Sequence, residues 1–150
     1  MAENNSVSYH TYTPGNNAAL NRDQVLDFLF KHLDEYGDQR QDIEKCMNYA
    51  LSEDAGKGGS VLEARENGQV VGALILNNTG MTGYIPENIL VYVAVHGSTR
   101  GKGVGKKLVQ MAIDSTEGSI ALHVEPQNPA RHLYEKLGFT NKYLEYRLTR

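Results

Sequence analysis

The segment that most restricts the fold is ILVYVAVHGSTRGKGVGKKLV, residues 89–109. Seven apolar residues (89–95) make a run of strand length, continuous enough to predict cover on both faces. Three glycines follow at alternate positions, Gly101, Gly103 and Gly105, interleaved with Arg100, Lys102, Lys106 and Lys107. Then Val104, Leu108 and Ala112 recur at helical spacing, with Val109 and Ile113 beside them. Glycine weakens a helix by about 1 kcal/mol against alanine, and cations in a first turn oppose the macrodipole. A helix that starts with both penalties predicts an anion at its N-terminus, where glycines let backbone N–H groups converge.

The charge distribution supports a local anion site. The net charge is −3, yet residues 1–67 hold 12 acids against 6 Lys/Arg, and residues 68–150 hold 6 against 9. No acid occurs between Glu87 and Asp114, so the glycine turn lies in an acid-free tract. The acidic total argues against a nucleic-acid partner, which wants a broadly basic face. The 150 residues predict one domain, 1–150, with a sizeable core. The N-terminal MAENNSVSYHTY has no apolar run of signal-peptide type, no later window approaches a membrane span, and a single cysteine leaves no disulfide framework or CxxC metal site. The expectations are a cytoplasmic protein without a membrane partner.

Around this centre the periodicities alternate. Val7, Tyr9 and Thr11 predict a short strand, NRDQVLDFLFKHL a helix capped by Asn21 with Gln24 at the capping-box position, and QDIEKCMNYALS a second helix burying Ile43, Cys46, Met47, Ala50 and Leu51. SVLEARENGQVVGALIL predicts two strands joined at Asn67-Gly68. NNTGMTGYIPEN is a loop. After the glycine-rich helix come a strand, SIALHV, a helix, PARHLYEKL, with Asn128 as cap, Pro129 in its first turn and Gly138 as its stop, and an alternating tail, FTNKYLEYRL, that predicts a last strand. The order is β-α-α-β-β-β-α-β-α-β, a mixed α/β or α+β domain with a largely antiparallel sheet flanked by about four helices.

The glycine turn fits neither the GxxxxGK[ST] nor the GxGxxG pattern, but Arg100, Gly103 and Gly105 satisfy RxxGxG. Placed between an apolar strand and a helix, it resembles motif A of the GNAT superfamily of acyl-CoA-dependent N-acyltransferases. LHVEPQNPARHLYEKLGF resembles motif B of the same superfamily, and the two together span residues 89–140.

The resemblance implies acetyl-CoA as cosubstrate and a small or peptidic amine as acceptor, with direct attack in a ternary complex. No covalent enzyme intermediate and no metal are implied. It places the CoA pyrophosphate on the backbone N–H groups of Arg100, Gly101, Lys102, Gly103, Val104, Gly105 and Lys106, with Arg100, Lys102 and Lys106 adding charge. It assigns the pantetheine arm and thioester carbonyl to the strand edge at Val93, Ala94 and Val95, a pantetheine contact to Asn128, and protonation of the leaving thiolate to Tyr134. Members often carry a glutamate base on the central strand, where this chain has Val91 and Tyr92. His123, then Glu87, are the candidate replacements. Each residue also has a plain reading: a solvated basic face for the cations, a helix cap for Asn128, a core tyrosine for Tyr134, a structural histidine for His123. The resemblance leaves open a monomer or a homodimer, and a catalytically silent CoA-binding or regulatory module of the same fold. The helices and their flanks from Arg22 to Lys45 hold seven acids and four bases, which predicts a cationic acceptor.

Overall fold

In the computed structural model of the chain, residues 6–99 and 101–150 are described. Five strands form one sheet in the order β1 (Ser8–Tyr12), β2 (Gly59–Glu66), β3 (Gln69–Asn78), β4 (Asn88–Val95) and β5 (Ile120–Ala121). The first four are an antiparallel meander, and β5 joins β4 in parallel after a crossover through α3 (Val104–Asp114). Helices α1 (Arg22–Leu33) and α2 (Arg40–Ala50) cover one face, packing Val25, Leu29, Ile43 and Met47 onto Val61, Ala73, Ile75 and Tyr92. The other face carries α3 and the short α4 (Arg131–Lys136), with Val104, Leu108 and Tyr134 against Leu62, Leu74 and Leu90.

Local sequence explains most of these elements. The Asn21 side chain accepts the Gln24 N–H at 3.1 Å and caps α1. The Gln24 side chain does not return the bond as a capping box would; it accepts from Arg65 at 2.7 Å. Asn67 and Gly68 both have positive φ, 54° and 78°, the conformation that a two-residue hairpin requires. Cys46 is buried on the α2 stripe, and burial pushes its thiol up to about 12. At Gly72 on β3 a Cβ would stand 2.9 Å from both Val104 and Leu108, so the glycine is a notch into which α3 settles.

Three further expectations fail. SIALHV pairs only over Ile120–Ala121, opposite Asn88 and Ile89. The tail from residue 139 onward forms no strand, and Tyr143, Leu144, Tyr146 and Leu148 are exposed on it. Its alternation carries the pattern of a strand without a pairing partner. Helix α4 also begins at Arg131, two residues after Pro129, because residues 128–130 form a tighter turn held by Asn128.

Candidate active site

The central strand is irregular where it matters. Leu76 pairs with Leu90 and Ile75 with Tyr92, so Val91 is an extra residue on β4, a β-bulge. Val91 and Tyr92 consequently both pack toward α1 and α2, whereas Leu90 and Val93 pack toward α3. Pairing with β5 ends at Ile89 and Ala121, so the C-terminal half of β4 has no strand on that side. The His96 N–H donates to the Val71 carbonyl at 2.8 Å, across to β3. By the period of two, Ala94 also faces β3, and the N–H and C=O groups of Val93 and Val95 are directed to the unpaired edge.

This edge runs straight into the glycine turn. The buried Thr99 holds the turn by donating its N–H (3.0 Å) and its hydroxyl (2.7 Å) to the His96 carbonyl. Gly101 and Gly103 have φ of 84° and 70°, and no atom lies within 4 Å of where a Cβ would be. The space above them is open. The first N–H groups of α3 have no acceptor within the helix, and no acid sits in its first turn. Converging amides, a helix N-terminus and empty space over left-handed glycines fit a pyrophosphate.

The cations are arranged unevenly. Arg100 lies outside the described residues. The Lys102 ammonium is 2.7 Å from Glu66, and Lys107 lies 5.7 Å from the ring centre of Tyr9. Lys106 is exposed.

Helix α4 approaches the same end. A Cβ on Gly105 would meet Leu133 at 3.5 Å and Val95 at 3.6 Å, so the end of β4, the first turn of α3 and α4 converge there. Tyr134 is buried on α4 with its ring edge-on to Phe139 at 5.9 Å. Burial pushes its phenol up to about 12, and its hydroxyl makes no hydrogen bond to a described residue. The Asn128 carboxamide oxygen accepts the Ala130 N–H at 2.9 Å, a local turn role.

The candidate bases are not brought together. His123 is exposed beyond the end of β5. Glu87 lies at the opposite end of β4 from the glycine turn. Its oxygens accept the N–H groups of Ser119 (2.8 Å) and Gly83 (3.2 Å), and these bonds hold its carboxyl below the usual range. That environment suits a clamp between two loops; a base needs the opposite shift.

Two arrangements escaped the sequence reading. The Tyr92 hydroxyl donates to Asp38, 54 residues away in the α1–α2 connection. Phe30, Gly37, Asp38, Gln39 and Asp42 line an open surface depression of about 390 Å³ there. The rings of His32 and His96 stand 4.9 Å apart, and the ring of Phe28 stands 4.4 Å from that of His32. Burial, then the charges of His96 and Lys31, hold the His32 imidazole below its ordinary value. Of these residues the sequence signals Tyr92, with Val91 in place of an acid, and counts Asp38 and Asp42 among the acids between Arg22 and Lys45, but it does not join them.

A family profile described as "Acetyltransferase (GNAT) domain" matches residues 57–141. A 5-NmdU N-acetyltransferase of Pseudomonas phage PaMx11 is 39% identical over 57 residues, 37% of this chain and 41% of that protein. Among solved structures, a ribosomal-protein-alanine N-acetyltransferase from Brucella melitensis biovar Abortus 2308 superimposes with a TM-score of 0.64 at 21% identity, over 97% of this chain and 99% of that one. An aminoglycoside 6'-N-acetyltransferase from Acinetobacter haemolyticus gives 0.63 at 18%, over 97% of each. An aminoglycoside N-acetyltransferase in complex with CoA gives 0.65 at 16%, over 98% and 99%. These likenesses concern the fold, while the profile spans more than half of the sequence and includes the β4 edge, the glycine turn and α4. On that match, the chain belongs to the GNAT acetyltransferase family.

Proposed function

We propose that the protein transfers an acetyl group from acetyl-CoA to a primary amine by direct attack within a ternary complex. The observation that carries this reading is the continuity of the unpaired half of β4 with the open amide turn before α3. One stretch of backbone thereby offers the pantetheine arm a strand edge and the pyrophosphate a cradle. An N–H on the Val93–Val95 edge stabilises the oxyanion that forms when the amine attacks the thioester carbonyl. The C–N bond forms, the C–S bond breaks, and Tyr134 gives its proton to the departing thiolate. A phenol held up to about 12 is fully protonated at neutral pH and available for that step. The nitrogen loses its protons to solvent or to His123. Arg100 and Lys106 add charge beside the pyrophosphate.

The test is release of free CoA from acetyl-CoA across a panel of amines, with acetylated product identified by mass. The panel includes 5-NmdU, the acceptor in the name of the phage relative. CoA binding without turnover on any amine would favour the second reading, a silent CoA-binding module. That reading draws on the engaged carboxylate of Glu87.

A further inference from the structure

Resting on the transfer reading above, we propose that Asp38, held by Tyr92, recognises a second positive charge on the acceptor, so that the substrate is a diamine-like cation. The bulge at Val91 turns Tyr92 onto the α1/α2 face just after β4 parts from β5. The phenol is buried, and its hydroxyl donates to Oδ2 of Asp38. Burial and the neighbouring carboxylate both push the phenol up, so it remains a donor at any working pH. Asp38 itself is exposed, and its Oδ1 has no partner among the described residues. One oxygen is fixed to the catalytic strand and the other is offered outward.

Of the other acids of this region only Asp42 shares the wall with Asp38, and it is exposed on the first turn of α2 without a bond to Tyr92. Arg40 ties up Asp23 at 3.1 Å and Asp27 at 2.7 Å, although Arg40 lies only two residues from Asp38. Asp34 and Glu35 are exposed and do not line the depression beside Asp38. That depression has no Lys or Arg in its wall, and it presents the half-exposed ring of Phe30 and the amide of Gln39 with the carboxylate. A carboxylate beside an aromatic face is the chemistry that accepts an ammonium on a hydrocarbon stem. The depression is open to solvent, so a short aliphatic amine can reach the carboxylate without any rearrangement of the wall.

The charge held by Asp38 is not on the attacking nitrogen. A carboxylate bonded to an ammonium raises its pKa, which opposes the loss of the proton that attack requires. The residue therefore suits a cation elsewhere on the acceptor, and it sets specificity without taking part in the bond changes.

The experiment compares 1,4-diaminobutane with n-butylamine at saturating acetyl-CoA. Wild type should favour the diamine by at least ~10-fold in kcat/KM, as expected for one desolvated charge pair. Asp38→Asn should remove most of that preference through KM, with kcat and the monoamine little changed, and Asp38→Glu should restore part of it. Tyr92→Phe should fall between wild type and Asp38→Asn. A purely structural role would lower both amines together. Calorimetric titration of 1,4-diaminobutane into the CoA complex provides a readout free of turnover: Asp38→Asn should weaken binding about 10-fold. Equal preference for the two amines in wild type, or equal diamine binding by wild type and Asp38→Asn, overturns the proposal. Diamine binding that depends on Asp38 without any acetyl transfer would uphold Asp38 and defeat the transfer reading alone.

Discussion

The ammonium of Lys102, in the glycine turn, lies 2.7 Å from a carboxylate oxygen of Glu66 at the end of β2. Glu66 is mostly buried, with a side chain 12% exposed, while that of Lys102 is 42% exposed. The hairpin therefore holds one of the turn's cations and sets a negative charge beside the proposed anion site. Glu66→Gln should tighten acetyl-CoA binding by up to ~5-fold at low salt, matching the ~1 kcal/mol ceiling of exposed pairs. The gain should shrink as salt rises. Weaker binding in the variant, measured by calorimetry, would mean that Glu66 instead positions Lys102 for the ligand.

Acetyl-CoA at 100 times its dissociation constant should raise the unfolding free energy by ~2.7 kcal/mol. Gly103→Asp should remove that effect. Gly103 needs a left-handed φ of 70°, and a carboxylate there would stand in the open space above the turn. Thermal melts with and without ligand give the answer, and an unchanged wild-type Tm at saturation would reject the cradle.

Tyr134→Phe should lower kcat by ~10²–10⁴-fold, the usual scale of general-acid loss, while the dissociation constant of acetyl-CoA stays nearly constant. The same substitution should alter alkaline stability. The folded phenol is held up to about 12 against an ordinary value of 10.0, so its contribution is complete below pH 10 and is lost as pH rises toward 12. Across that window, stability should therefore fall less steeply in the Tyr134→Phe variant than in wild type. A variant with wild-type turnover would leave Tyr134 a core residue.

Glu87→Gln should act on stability and leave the rate nearly alone. Its carboxylate clamps Gly83 and Ser119, and the folded group is held below its ordinary value. The stabilisation is present above the unfolded pKa and disappears as pH falls through the folded one. Loss of the acidic slope in a pH series of Tm values, with an unaltered pH–rate profile, is the expected pair of results. Collapse of the rate would instead make Glu87 the base.

What was legible in the sequence is what short-range periodicity records. The Asn67-Gly68 hairpin, the α2 stripe through Cys46 and the apolar run before the glycines each depend on residues within a few positions of one another. The ion pair of Glu66 with Lys102 and the bond of Tyr92 to Asp38 join residues 36 and 54 apart, and no local pattern announces them. Tail alternation over Leu144, Tyr146 and Leu148 misled for a related reason. It reports which side chains a strand would sort to each face, but not whether an edge is available to pair with. The continuous apolar run over β4 also hides its bulge, because both faces are covered and neither rejects an additional valine.

That bulge changes the parity of the strand. Up to Leu90 the residues count in twos from one origin, and from Tyr92 onward they count in twos from another, with Val91 absorbing the mismatch. Deleting Val91 would bring the two counts into step with no residue changing sides: Leu90 would stay toward α3 and Tyr92 toward α1 and α2, in unbroken register with Leu76 and Ile75. A one-residue deletion away from the bulge would instead turn one arm over and present new side chains to each layer of helices. The strand can therefore lose the residue that no partner opposes and keep both layers of helices supplied, whereas the same loss elsewhere along it would send apolar side chains to the wrong layer.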